Sequence, residues 1–362
     1  MRAMTAVLML ALAACSGGEA PTAGGKPCCA AGEKKPEACC QADAAKACCK
    51  GGTPQVVTRA FLKSAESRTF EIEYVGKVSG IPEGTKQLRL WLPVPSTTTV
   101  QEIRNLTFSS PAKVGTEEKY GNAIAYWEIA NPGATAEVSM KFVCTRAEIK
   151  TDLDLLSIEG TDPAEAFKAY REPDRLVLVN DEIRKLAAEI TKDKEGVVEK
   201  ARAIYDHVVS KMTYDKNHEG WGRGSTEHAC KTGKGNCTDF HALFNSLCRA
   251  AGIASGFEIG LYLPYGRKSD EKLGGYHCWA LFRVPGKTWV PVDCSEASRF
   301  PDRREAFFGG HTSNRVTLST GRDLTLEPKQ AGEPLNYFLN PHAEADGKPV
   351  STEKAWTCKD LD

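Results

Sequence analysis

The chain has 362 residues, 41% of them hydrophobic and 26% charged. That is the composition of an ordinary globular protein, with enough length for two domains and appendages. Its 47 basic residues balance 47 acidic ones, so no overall field draws it to nucleic acid, which is set aside as a partner.

In chain order, residues 5–14 form a short apolar run behind Arg2. A membrane-spanning helix needs about 20 apolar residues, so the run reads as the core of a secretion signal. It ends Leu12-Ala13-Ala14-Cys15, which resembles the lipobox of bacterial lipoproteins. The resemblance implies a signal peptide over 1–15, lipidation of Cys15, and an exported protein held at the cell envelope by an N-terminal lipid anchor. Ser16 stands where Asp often retains such proteins in the inner membrane, which points to the outer membrane, facing the periplasm. An ordinary signal peptide cut nearby is the plainer alternative.

Residues 16–55 are mostly Ala, Gly, Lys, Glu, Pro and Cys. They cannot bury enough surface to offset chain entropy and read as a disordered tether. Six of the 14 cysteines fall here as adjacent pairs, Cys28-Cys29, Cys39-Cys40 and Cys48-Cys49. Clustered thiolates suit soft metals, which makes these six metal-ligand candidates. A biased linker with idle thiols is the bland alternative.

From about 56 to 150 the signals are β. Phe70-Glu71-Ile72-Glu73-Tyr74-Val75 and Gln87-Leu88-Arg89-Leu90-Trp91-Leu92 alternate, and 123–129 and 136–143 follow, with Asn131-Pro132-Gly133 as punctuation. Period-two alternation between turn residues predicts an all-β, sandwich-like module over 56–150, without evident chemistry. From about 175 the period lengthens. Asn180 is placed to cap a helix carrying Ile183, Leu186, Ala187 and Ile190 on one face. Val197, Ala201, Ile204, Tyr205, Val208 and Met212 recur at helical spacing in a second.

The chemistry begins at Gly233-Lys234-Gly235-Asn236-Cys237. Phe240, Leu243, Phe244 and Leu247 form one stripe, so a helix starts at or just after Cys237. At a helix N-terminus, unbonded N–H groups and the helix dipole favour a thiolate, and the same groups can hold an oxyanion. A structural cysteine capping the helix is the alternative. A proton partner comes from a predicted hairpin, with 275–284 as a strand, Pro285-Gly286-Lys287 as the turn and 288–293 returning. His277 and Asp293 are both odd-numbered, so any register with an even pairing sum puts them on one face. A three-residue loop pairing Val284 with Thr288 sets them diagonal, and the next such register sets them directly opposite. Either lets the carboxylate orient the imidazole. The diagonal register also sets Cys278 opposite Cys294, as a disulfide or as packed thiols.

The runs Gly235-Asn236-Cys237-Thr238-Asp239-Phe240, Cys248-Arg249-Ala250-Ala251-Gly252-Ile253, His277-Cys278-Trp279 and Trp289-Val290-Pro291-Val292-Asp293 resemble the core of the bacterial transglutaminase-like superfamily, in the family's order. Phe307-Phe308-Gly309 and Gly321-Arg322-Asp323-Leu324 resemble the segment that follows it. One departure is Ala254-Ser255, where many relatives carry proline and a small residue before arginine. The resemblance implies an α+β fold, a papain-like transglutaminase core of helices plus antiparallel sheet over 155–342, preceded by the β module and followed by a C-terminal tail over 343–362. It implies Cys237 as nucleophile, His277 as base and Asp293 as orienter. The implied activity is cysteine-dependent acyl transfer or hydrolysis on protein or peptide amides, with cross-linking, deamidation and proteolysis left open and no metal or organic cofactor.

The family supplies an oxyanion-hole side chain upstream of the cysteine, where Tyr214 and Trp221 are the candidates. His241 is a rival base or a residue supporting the triad. His228 and Cys230 are alternative metal ligands, and Cys144, Cys230, Cys248 and Cys358 are core or disulfide cysteines. Two other readings compete: a catalytically idle peptide-binding scaffold, and a thiol-rich metal-binding lipoprotein whose function lies in residues 28–49.

Overall fold

Strand β1 (Ser67–Ser79) shows how the alternation becomes a sheet: Phe70, Ile72, Tyr74 and Val78 are buried between outward-facing neighbours. Gly76 holds the remaining inward position. A Cβ there would lie 2.6 Å from Leu92 Cδ2, so the glycine lets the facing sheet close in. The computed structural model describes residues 66–263 and 275–361, all within one compact unit. The expectations for Cys15, the tether and its six paired cysteines lie outside the described residues. No helix among the described residues is long and apolar enough to cross a membrane.

Two antiparallel sheets form the β module. The first joins β1 with β3 (Gln101–Phe108), β6 (Ala136–Ala147) and β17 (Ser351–Asp360), in the order β17-β1-β6-β3. The second joins β2 (Gln87–Val94), β4 (Lys113–Thr116), β5 (Ala123–Ala130), β15 (His342–Ala345) and β16 (Lys348–Pro349), in the order β16-β15-β2-β5-β4. The inward residues of both sheets share one apolar core, as a sandwich requires.

The expected tail over 343–362 is corrected by these strands. β17 pairs with β1 from Phe70–Asp360 to Ser79–Ser351, and β15 pairs with β2. The sandwich is thus closed by both ends of the folded chain. β17 escapes a hydrophobic reading because it is an edge strand: Trp356 is its one fully buried residue, and Thr, Glu and Lys fill the positions around it.

Among the described residues the second body holds the α-helices α1 (Asp181–Ile190), α2 (Gly196–Lys211), α3 (Thr226–Thr232), α4 (Cys237–Ala250) and α5 (Cys294–Arg299). Its sheet runs β12-β11-β10-β14, from β10 (Ser255–Tyr262), β11 (Tyr276–Arg283), β12 (Trp289–Val292) and β14 (Arg315–Thr320), all antiparallel. Two short ladders complete the count, β7 (Ile149–Lys150) with β13 (Gly310–His311) and β8 (Thr213–Tyr214) with β9 (Lys234–Gly235). Asn180 caps α1 through Ile183 N at 3.0 Å, as its sequence position predicts. α4 lies between the other helices and the sheet, so every residue from Cys237 to Arg249 is buried. β10 is buried on both faces, against α4 and against the sandwich. Beyond a bulge at Ile259/Gly260, a Cβ on Gly260 would collide with Val316 O at 1.7 Å. Gln101 of the sandwich docks onto this sheet like an added strand: its Nε2 donates to Thr317 O at 3.1 Å and its Oε1 accepts from Thr317 N at 2.8 Å.

Candidate active site

Cys237 is the first residue of α4. Asn236 caps the helix, its Oδ1 accepting from Thr238 N at 2.9 Å, while Asp239 Oδ2 accepts from Asn236 N at 3.0 Å. Asp239 also accepts from Gly222 N at 2.7 Å and Gly224 N at 2.9 Å, which ties the 220–224 loop to the start of the helix. At this position the Cys237 amide has no partner within the helix, and the dipole favours negative charge beside it.

The β11-β12 hairpin has the diagonal register, pairing Ala280 with Val292 and Arg283 with Trp289. β12 ends at Val292, and Asp293 turns to cap α5, with Oδ1 accepting from Glu296 N at 3.0 Å and from Ser295 Oγ at 3.0 Å. Its Oδ2 is left for His277, which donates from Nε2 at 2.6 Å. That leaves Nδ1 as the imidazole nitrogen to face Cys237, whose thiolate the charge of His277 favours. The structure therefore brings Cys237, His277 and Asp293 together.

Their charges follow from this geometry. Burial opposes the Cys237 thiolate, but hydrogen bonds from Cys278 and His277 and the charge of His277 hold its pKa well below the ordinary thiol value. Burial would strip His277 of its proton, yet the Asp293 charge and hydrogen bond, with Cys237, raise its pKa to about 10. Burial likewise opposes the Asp293 charge, and His277, His241 and Arg315 overcome it, holding the carboxyl well below its usual range. These interactions favour a thiolate–imidazolium pair beside a carboxylate.

His241 is not a rival base. It is fully buried, and burial pushes its pKa down to about 4. Its Nε2 accepts from Cys294 N at 3.2 Å, so the ring proton sits on Nδ1, which faces Cys278 Sγ at 3.6 Å. The ring thus stands where the hairpin register alone would have set Cys278 against Cys294, and both remain free thiols. Cys144, Cys230, Cys248 and Cys358 are also free. Cys230 is exposed, and His228 pairs instead with His218, Nε2 to Nε2 at 3.0 Å.

Three participants were not legible in the motifs. Arg315, fully buried on β14, donates to Asp293 Oδ2 at 3.1 Å and to Glu296 Oε2 at 2.7 Å. Among the described residues, His277, Asp293 and Glu296 form the one cluster with metal-ligand spacing; the Arg315 guanidinium already donates to both of its carboxylates. Tyr276 is the third: Asn236 Nδ2 donates to its hydroxyl oxygen at 2.7 Å. Period-two alternation could have placed Arg315 inward, since β14 is buried along nearly its whole length, but nothing local says what it meets.

Of the expected oxyanion-hole residues, Tyr214 lies on β8, in parallel with Gly235 two residues before the thiol. Burial and then the Cys237 charge raise its pKa. Trp221 is 38% exposed, with Lys216 Nζ 5.7 Å over its ring.

Residues 184–294 match the model of the transglutaminase-like superfamily, a span that holds Cys237, His277 and Asp293. The chain is 25% identical over 315 residues to an "Uncharacterized protein" of Haemophilus influenzae, covering 75% of this chain and 85% of that one. Among solved structures it is similar to a "Putative Cysteine Protease" from Cytophaga hutchinsonii, 17% identical, covering 82% of this chain and 92% of that one at a TM-score of 0.56. The periplasmic domain of TgpA from Pseudomonas aeruginosa is 16% identical, with 67% and 92% covered and a TM-score of 0.36. Residues 184–294 thus resemble the transglutaminase-like superfamily, in a chain whose α+β fold is similar to that of the Cytophaga hutchinsonii structure.

Proposed function

We propose that this protein is a thiol enzyme acting on protein or peptide amides by acyl transfer or hydrolysis, with Cys237 as nucleophile, His277 as acid and base, and Asp293 as orienter. The carrying observation is a buried thiol at a helix N-terminus, electrostatically paired with an imidazole that is hydrogen-bonded to a buried carboxylate. The Cys237 sulfur attacks the amide carbon, and the carbonyl π pair moves onto oxygen. When that oxyanion collapses, the C–N bond breaks and His277 delivers its proton to the departing amine. His277, now neutral, takes a proton from water or a second amine, which attacks the thioester and returns Cys237 as thiolate. Water gives hydrolysis or, on a glutamine side chain, deamidation; an amine gives cross-linking. The expected lipidation at Cys15 would place this activity at the cell envelope on a membrane anchor.

Mass spectrometry of peptide mixtures incubated with wild type and with Cys237→Ala tests the reading. Cleavage, deamidation and amine incorporation each give a distinct mass change. A product formed equally by both proteins, or by neither, would sink it.

A further inference from the structure

The proposed acyl transfer needs a second donor for the oxyanion, beside the Cys237 amide. We infer that the Tyr276 hydroxyl is that donor, in place of an aromatic residue upstream of the thiol. This inference rests on the acyl-transfer reading of the same site.

Tyr276 stands one residue before His277 on β11, and its hydroxyl reaches back across the mouth of α4. It is held by both neighbours of the nucleophile: Asn236 Nδ2 donates to it at 2.7 Å, and Thr238 Oγ1 lies 3.4 Å away. The Asn236 carboxamide cannot swing free, because its Oδ1 is engaged by Thr238 N at 2.9 Å. Asn236 uses a lone pair of the Tyr276 oxygen, so the phenol's own proton is left to donate. The Thr238 contact is long for an O–H bond, and Thr238 Oγ1 also lies 3.9 Å from Cys278 Sγ. The phenol is electrostatically coupled to the Cys237 sulfur, and burial, followed by the charges of Cys237 and Cys278, keeps it protonated.

A carbonyl oxygen arriving beside the Cys237 amide would therefore find a second donor fixed in advance, which is what stabilises developing charge. Tyr214 is also near Cys237, but none of the described side-chain hydrogen bonds fixes its hydroxyl; its ring packs 6.3 Å from Phe240 with Arg299 Cζ at 4.9 Å. Trp221, at 38% exposure, lacks the burial that makes such a donor effective.

Two reactions at the same sulfur separate this role from a structural one. Alkylation by iodoacetamide forms no oxyanion, whereas acylation by p-nitrophenyl acetate does. Both are followed on the Cys237 peptide by mass spectrometry, in full-length wild type, Tyr276→Phe and Tyr214→Phe. Tyr276→Phe is expected to acylate about a hundredfold more slowly while alkylating within about twofold of wild type, and Tyr214→Phe is expected to match wild type in both. Acylation of Tyr276→Phe at the wild-type rate would overturn the inference. So would a parallel loss of alkylation, which would make Tyr276 a support for the thiolate, or the selective acylation defect appearing in Tyr214→Phe instead. A wild type that alkylates at Cys237 but never acylates there would remove the acyl-transfer reading itself.

Discussion

The sandwich and the transglutaminase-like core are both densely packed, but they bury different chemistry. Between the two sheets of the sandwich the inward positions are Phe70, Ile72, Leu88, Leu90, Val138, Met140 and Phe142, and the fold follows from alternation and area. In the core, α4 buries Thr238, Asp239, His241, Asn245, Ser246 and Arg249 beside its apolar stripe. Most of these polar groups are held by specific partners: Asp239 by three backbone amides, Arg249 by Asp174 at 2.7 Å and by Ser255 O at 3.2 Å. An apolar core tolerates volume-conserving change, whereas a buried polar network loses heavily when one partner is removed. The sandwich is accordingly built for packing and the core for orientation, and substitutions in the two should fail differently.

The largest expected difference is chemical. Cys237→Ala should lower turnover by at least about ten-thousand-fold. Residual turnover near wild type, measured on the peptide products, would move the nucleophile elsewhere. Next comes Arg315→Met. It keeps the apolar stem but leaves Asp293 and Glu296 buried without their guanidinium, a loss of about 3–5 kcal/mol for an unpaired buried charge. Urea unfolding measures it, and adding Glu296→Gln should recover part of the loss. A silent Arg315→Met would mean that the ion pairs do not stabilise the core.

How much of this was legible in the sequence follows the same division. Alternation in 70–75 and 87–92 located strands β1 and β2, because half-buried sheets repeat every two residues. Parity put His277 and Asp293 on one face for any even pairing sum, and the hairpin has such a register. What escaped were contacts made by residues distant in the chain. Arg315 meets Asp293 only after β14 crosses to the far side of β10. Trp356 completes a sheet begun nearly 290 residues earlier, and an edge strand carries too few apolar residues to announce itself. His241 was expected as a rival base or a supporting residue, but its role depends on an amide from Cys294, which local spacing does not encode.

A smaller effect sharpens the charge argument. The pKa of His277, raised from 6.5 to about 10, means that its protonated form stabilises the fold fully below about pH 6.5, and that this contribution is lost as pH rises through about 10. Asp293, depressed below 3.8, contributes above that value and loses its contribution as pH falls through its folded pKa. Asp293→Asn removes the main group that raises His277. The alkaline limb of the turnover profile should then move from about pH 10 toward the ordinary histidine range, while the wild-type acid limb stays well below the ordinary thiol value of 9.0. An alkaline limb unmoved by Asp293→Asn would show that another carboxylate, with Glu296 Oε2 at 4.0 Å from His277 Nε2, does the orienting.

The smallest expected effect lies in the sandwich. Ile72 is fully buried at the centre of β1, opposite Phe142 on one side and Cys358 on the other. Ile72→Val removes one methylene from a core without buried charges at that point, which costs about 0.5–1.5 kcal/mol. The unfolding free energy should fall by that amount, lowering the urea midpoint, and the slope with urea should not change. The rate of Cys237 alkylation should also be unchanged, since the thiolate is set by His277, Cys278 and the start of α4 rather than by sandwich packing. A shift in that rate would break the comparison, because the sandwich core and the triad would then respond as one unit through the apolar cluster they share. The route would run through β10 and β14, where Phe257, Ile259, Val316 and Leu318 pack into the same cluster as Ile72 and Cys237.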